Sequence, residues 1–199
     1  WKSSYLIVTF ASMINAAIFA SGEGSNAENL FTYFANDPRI KIKLVVTNND
    51  SAGVIARAEK HKKNVQIVSK AALENYTDQL IEFLKVEKID LIILAGFLLK
   101  IPDKFIKAFP NRIINLHPAL LPGYGGKGMY GMNVHKAVIA NKDPESGITV
   151  HYVNEEYDKG EIILQAKCPI APTDSAEDLS KKIQQLEFEH LPKAIEKFL

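Results

Sequence analysis

The chain has 199 residues, 47% hydrophobic and 24% charged, and its 24 basic residues against 23 acidic ones leave a formal net charge of +1. This suits one globular domain with a substantial core. It argues against a nucleic-acid clamp, because the basic clusters (Lys60, Lys62 and Lys63; Lys181 and Lys182) are short and mixed with acids. The lone Cys168 cannot form an internal disulfide, which fits a reducing cytoplasm, and no Cys/His cluster has zinc-ligand spacing, so no metal is expected.

Residues 1–12 are an apolar, Ser-containing stretch with only Lys2 as a basic residue, too short and broken to span a bilayer and lacking the marks of a signal peptide. No membrane association is expected. We expect Met13 to be the natural start, with residues 1–12 an extension and one domain over 13–199. From Met13 onward, strands are predicted at Ala16–Ala20, Ile42–Thr47, Val65–Val68, Leu91–Ala95 and Ile113–Leu116. Helices are predicted at Ala27–Asn36, Gly53–His61, Asn75–Glu87 and Lys104–Phe109. This alternation is a βαβ pattern, and the continuously apolar runs at Leu44–Val46 and Leu91–Ala95 predict central strands of a parallel sheet with helices on both faces.

After Pro122 come a glycine-rich loop, a helix around Val134–Ala140, and two strands, Ile148–Val153 and Ile162–Ala166, joined by a turn containing Asp158 and Gly160. This part is predicted to be antiparallel. A last amphipathic helix starts near Asp174, with Glu177 as its capping partner and Leu179, Ile183, Leu186 and Ile195 as its buried stripe. Pro192 is expected to break or kink it. The fold class is therefore α/β, a Rossmann-like single domain with a mostly parallel central sheet and an antiparallel C-terminal part.

Three stretches can carry chemistry. The first βα turn, Ser21-Gly22-Glu23-Gly24-Ser25-Asn26, joins glycines to a helix N-terminus, and is either a cradle for an anion or a tight turn. Its glycine spacing also fits a dinucleotide fingerprint, but the second strand ends Thr47-Asn48-Asn49 with the nearest acid, Asp50, out in the turn, which weakens an NAD reading. Asn115 and His117 are two residues apart at a strand end, so both point to one face, either to hold a developing oxyanion or to make ordinary turn contacts. Finally His151 lies on a later strand and Asp158 at its turn. That carboxylate either caps its own backbone or returns to His117, where it would raise the imidazole pKa, keep the ring cationic near neutral pH and accept a proton from an attacking amine.

Together with Leu94-Ala-Gly-Phe-Leu-Leu-Lys100 and Asn115-Leu-His-Pro-Ala-Leu-Leu-Pro122, these stretches resemble the glycinamide ribonucleotide formyltransferases from Met13 to the C-terminus. The resemblance implies transfer of the formyl group of 10-formyltetrahydrofolate, a co-substrate, to the amine of 5-phosphoribosylglycinamide in purine biosynthesis. It implies Asn115, His117 and Asp158 as the catalytic trio with His151 beside them. It also implies Gly24, Ser25 and Asn26 on the ribotide phosphate, Glu187 on the glycinamide portion, and a folate pocket of Phe97, Leu98, Leu99 and Ile101, with Asn115, His151 and the backbone of 154–158. Two departures stand out. Leu99 with Lys100 occupies the place of a family arginine, and the loop Gly123–Met132 is longer and richer in glycine, which predicts a mobile lid or a flexible surface loop.

Cys168 is expected to pack rather than act as a nucleophile, and His61, His135 and His190 are expected at the surface, although His135 opens a helix beside the glycine-rich loop. Neighbouring activities are a sugar-nucleotide formyltransferase and a formyltetrahydrofolate hydrolase. A methionyl-tRNA formyltransferase would require a tRNA domain, and an NAD-dependent oxidoreductase depends on the glycine turn alone. Expected partners are small molecules rather than nucleic acid or membrane, with the protein a monomer or weak homodimer in the cytoplasm.

Overall fold

The computed structural model describes residues 13–199, so the expected extension at 1–12 lies outside the described residues. The strands are β1 (Ile14–Phe19), β2 (Ile40–Thr47), β3 (Asn64–Ile67), β4 (Leu91–Leu94), β5 (Ile113–His117), β6 (Glu145–Tyr152) and β7 (Ile162–Pro169). The helices are α1 (Ser25–Tyr33), α2 (Gly53–Lys60), α3 (Lys70–Asn75), α4 (Thr77–Val86), α5 (Asp103–Ala108), α6 (Met132–Asn141) and α7 (Ala176–Glu196). All strands form one sheet in the order β3-β2-β1-β4-β5-β6-β7. The first five are parallel, while β6 and β7 are antiparallel to their neighbours. Among the described residues no helix is long and apolar enough to cross a membrane.

Strand alternation explains the two-sided core. Ala16, Ile18, Leu91, Ile93, Ile114, Ile148 and Val150 face α1, α2, α6 and α7 through Leu30, Val54, Val138, Leu179 and Ile183. The intervening residues Ala17, Phe19, Ile92, Leu94 and Ile113 face α3, α4 and α5 through Leu73, Leu84 and Phe105. Central strands buried on both sides leave no room for polar positions, which accounts for their unbroken apolar runs. Cys168 lies within β7 and packs against the first of these clusters.

Local structure departs from the predicted pattern in three places. The helix predicted over Asn75–Glu87 is preceded by another, α3, which starts where Ser69 Oγ accepts from Ala72 N at 3.1 Å; Tyr76, at φ −122, separates α3 from α4. The capping box of α7 is one residue later than expected: Ser175 Oγ accepts from Asp178 N, and Asp178 accepts from Ser175 N, each at 3.1 Å. Asp174 instead accepts from Ala171 N. Pro192 neither breaks nor ends α7, which runs through it to Glu196. Proline has no N–H for the carbonyl of Phe188 four residues back, and that carbonyl accepts from Asn29 Nδ2 of α1 at 2.9 Å.

Candidate active site

Asn115 and His117 share the sheet face of Ile113, where the helical cover runs out, since the apolar cluster on that face includes Ile113 and no residue of β6 or β7. Antiparallel register sets His151 opposite Asn115 and Thr149 opposite His117, so four polar side chains line up where the helices stop. The segment after β5 folds across this gap. Thr149 Oγ1 donates to Ala119 O at 2.7 Å and accepts from Leu121 N at 3.0 Å, which anchors the chain as it turns into the glycine-rich loop.

The turn after β6 returns to the same place, because a Cβ on Gly160 would lie 1.7 Å from Tyr152 O and only glycine permits that approach. Asp158, in the left-handed region at φ 55, is thereby directed inward, its side chain only 12% exposed. Its Oδ1 lies 3.4 Å from Asn115 Nδ2, 3.6 Å from His151 Nε2 and 3.7 Å from His117 Nδ1. Its Oδ2 accepts from Gly126 N at 2.8 Å. The carboxylate accepts from the glycine-rich loop rather than from its own turn, and it faces the His117 imidazole, the second of the two roles that its sequence left open.

Hydrogen-bond partners assign the protons. His151 Nδ1 faces Tyr152 O at 2.7 Å and must donate, while its Nε2 lies 3.1 Å from Asn115 Nδ2 and 3.6 Å from Asp158 Oδ1. His117 Nε2 likewise donates to Tyr124 O at 2.8 Å, so its bare Nδ1 is the edge turned toward Asp158. Burial pushes the His117 imidazole below its ordinary range; Asp158 and the Tyr124 carbonyl pull it up without prevailing. The expectation that Asp158 keeps this ring cationic near neutral pH is therefore corrected, because a ring 3% exposed loses more by desolvation than one carboxylate restores. Burial would raise the Asp158 carboxyl, but the His151 ring, the Gly126 N–H and His117 together outweigh it and hold the group below the usual carboxylate range.

The cleft above this cluster has a volume of about 650 Å³, within the ordinary range for small-molecule sites. The individually expected site residues all line it: Gly24, Ser25, Asn26 and Glu187 at one end, Phe97, Leu98, Leu99 and Ile101 along one wall, and Asn115, His117, His151 and Asp158 between them; of residues 154–158, all but Glu155 line it. Gly24, at φ +73, precedes α1, whose N-terminus has no side-chain cap and so presents free amides. A Cβ there would meet Val54 at 2.5 Å. Asn26 Nδ2 donates to Glu187 Oε2 at 2.8 Å, while Asn26 Oδ1 is buried without a partner. The surrounding protein pushes the Glu187 carboxyl above its ordinary range, opposed by the Asn26 bond. Asp50, the acid an NAD site would need, is outside the cleft and accepts from Ser51 Oγ.

The cleft also holds residues that sequence reasoning missed. His135 is 4% exposed, with Nδ1 unpartnered and its pKa lowered by burial, so it is a buried wall of the cleft rather than a surface residue. Ser180 and Gln184 join Glu187 on the cleft side of α7, a spacing that could have been read backward from Glu187. The loop contributes Gly126 through Gly131, including Lys127, Met129 and Tyr130. Lys100 lies beside Leu99 on the same wall as Phe97, its Nζ 3.5 Å from Asp103 and 5.8 Å from the Tyr157 ring centroid. His61 is partly covered by Phe31, with Nε2 buried and lacking a hydrogen bond, while His190 remains beside Glu189. Among the described residues no group of three or more His, Cys, Asp or Glu can hold a metal ion.

Comparison with known proteins follows the same outline. The formyl transferase family model matches residues 14–195. The chain is 39% identical over 173 residues to the chloroplastic phosphoribosylglycinamide formyltransferase of Arabidopsis thaliana, covering 84% of this chain and 59% of that protein. It is 34% identical over 190 residues to the phosphoribosylglycinamide formyltransferase of Haemophilus influenzae, covering 94% and 87%. The crystal structure of glycinamide ribonucleotide transformylase 1 from Geobacillus kaustophilus superimposes with a TM-score of 0.86 at 31% identity, over 94% of this chain and all of that one. The chain thus spans less than two thirds of the plant relative's length and most of the two bacterial ones.

Proposed function

The chain belongs to the formyl transferase family, and from that premise we propose that it moves the formyl group of 10-formyltetrahydrofolate to the amine of 5-phosphoribosylglycinamide. The products are formylglycinamide ribotide and tetrahydrofolate, a step of purine biosynthesis. The observation that carries this reading is one cleft joining an anion seat at Gly24–Asn26 to Asn115, His117 and Asp158, with an apolar slot beside them. The slot of Phe97, Leu98, Leu99 and Ile101 suits a flat heteroaromatic ring, while Asn115 and His151 supply polar groups at its inner end.

In this mechanism the amine nitrogen bonds to the formyl carbon and the bond from that carbon to the folate nitrogen breaks. Asn115 donates to the developing oxyanion, which requires one amide hydrogen to leave its resting partner, His151 or Asp158. Ionised Asp158 accepts the amine proton. Because its Oδ1 faces His117 Nδ1, that proton can charge the ring as the oxyanion forms. The resulting imidazolium stabilises the oxyanion and returns the proton to the leaving nitrogen. His117 thus starts neutral and is cationic only when a charge develops to match it.

Support for a phosphorylated acceptor comes from the seat at α1, with Glu187, bonded to Asn26, placed beside it for the glycinamide portion. The compartment we propose is the cytoplasm, and the assembly a monomer or weak homodimer built from one domain over 13–199. Purified protein assayed with 10-formyltetrahydrofolate and glycinamide ribotide, against nucleotide-sugar amines and water, should transfer to the ribotide. Preference for water or for a sugar-nucleotide amine would overturn the acceptor and leave formyl chemistry standing.

A further inference from the structure

Ser21 lies just beyond β1, immediately before the anion seat, and is 7% exposed. It is absent from the residues lining the cleft, yet its N–H and its hydroxyl are committed to the cleft wall and to the end of the neighbouring strand. Its N–H donates to Gly96 O at 3.0 Å. Its Oγ accepts from Leu98 N at 2.9 Å and donates to Asn48 Oδ1 just beyond β2. A hydroxyl has one hydrogen, so giving it to Asn48 turns a lone pair toward the Leu98 amide. Gly96, at φ +77, is where the chain leaves the line of β4, and the two Ser21 bonds fasten the residues on either side of Phe97.

We infer that Ser21, oriented by Asn48, is a positioning residue that sets the backbone of the Phe97–Leu99 wall and thereby the affinity for the folate co-substrate. Its effect falls on one substrate, because the bonds it makes go to the wall and not to Ser25, Asn26 or Glu187. The ring of Phe97, packed edge-on against Phe19 at 5.3 Å, shows the other anchor of the same wall. Apolar packing fixes the ring, and the Ser21 hydroxyl fixes the adjoining backbone.

This inference depends on the proposed use of that slot for folate, and the test separates the two. Ser21→Ala should raise the KM for 10-formyltetrahydrofolate, and the calorimetric Kd for tetrahydrofolate, by about three- to tenfold, the range one hydrogen bond supplies. The kcat and the KM for glycinamide ribotide should stay at their parental values. Ser21→Thr, which keeps the hydroxyl, should restore folate affinity, a result that a loosened fold would not give. Asn48→Ala should weaken folate binding in the same direction and act less than additively with Ser21→Ala, and it serves as the probe if Ser21→Ala does not fold. An unchanged folate Kd, an equal rise for both substrates, or a fall in kcat alone would overturn the role of Ser21. Failure of the parent protein to bind tetrahydrofolate at all would overturn the functional reading instead.

Discussion

The two ends of the cleft are built by different means. At the β1–α1 end, in the parallel half of the sheet, the site is made of backbone: a glycine in the left-handed region and the uncapped amides of a helix. At the β5–β6 end, in the antiparallel part, it is made of side chains that cross-strand register brings face to face. A backbone site offers the same donors whatever the substrate's progress, so it binds ground state and transition state alike. A side-chain site can change protonation during the reaction, and only that end can discriminate the transition state. In the proposed mechanism, binding and chemistry are thus divided between the parallel and antiparallel parts of one sheet.

The sharpest way to break that division is to remove a reacting side chain. Asn115→Ala should lower kcat by roughly a hundred- to a thousandfold, the usual cost of one oxyanion donor, with the KM for the ribotide little changed. Steady-state kinetics with each substrate varied in turn would measure it. Near-parental turnover would mean that the charge is stabilised elsewhere.

A matched pair of glycines sharpens the comparison further, since each end depends on one. Gly24→Ala sets a Cβ against Val54 at a residue already at φ +73, and the strain should appear as a rise of about tenfold in the KM for the ribotide. Gly160→Ala would press a Cβ onto Tyr152 O and displace the turn that carries Asp158, so the fall, again at least about tenfold, should be in kcat. If both variants changed the same parameter, the division between binding and chemistry would be wrong.

The two ends were also unequally legible in the sequence. Gly22–Asn26 announces itself, because strand, glycines and helix are consecutive and every contributing atom is local. The convergence of Asn115, His117, His151 and Asp158 is not local, since it requires the β5–β6 register and a turn tight enough to need Gly160, and short-range pattern encodes neither. What sequence chemistry could not weigh was burial. His117 next to an acid reads as a cation, and only its near-complete enclosure reverses the sign. His135 is a second case of burial, since it lies on the buried face of α6 and its sequence neighbours do not show that. Pro192 is the clearest case on the fold side: its cost to α7 was expected from its own helix, and the remedy comes from Asn29 on another.

That remedy can be tested by stability alone. Asn29→Ala should leave the Phe188 carbonyl without a donor and cost about 1–3 kcal/mol in denaturant unfolding. Pro192→Ala restores an N–H for that carbonyl within α7, so in its background the same Asn29 substitution should cost markedly less. Equal costs in the two backgrounds would mean that Asn29 stabilises α7 by some other contact, and that the helix tolerates Pro192 for reasons of packing.

Glu187 provides the smallest and most pH-selective effect, because it puts a side-chain acid at the backbone-built end. Its folded-state pKa is raised above 4.5 by burial, so between 4.5 and the folded pKa the native state holds more protons than the unfolded chain. Stability from this group is therefore full below the unfolded pKa and declines as pH rises through the folded one. Glu187→Gln, which keeps an oxygen to accept from Asn26 Nδ2 but carries no charge, should raise Tm at pH 8 and leave it unchanged near pH 4. The same variant should weaken ribotide binding at pH 8 if the carboxylate recognises the acceptor's amine. A Tm gain that persists at pH 4 would trace the effect to packing, and a gain without loss of affinity would leave Glu187 as a strained wall residue whose charge the substrate never meets.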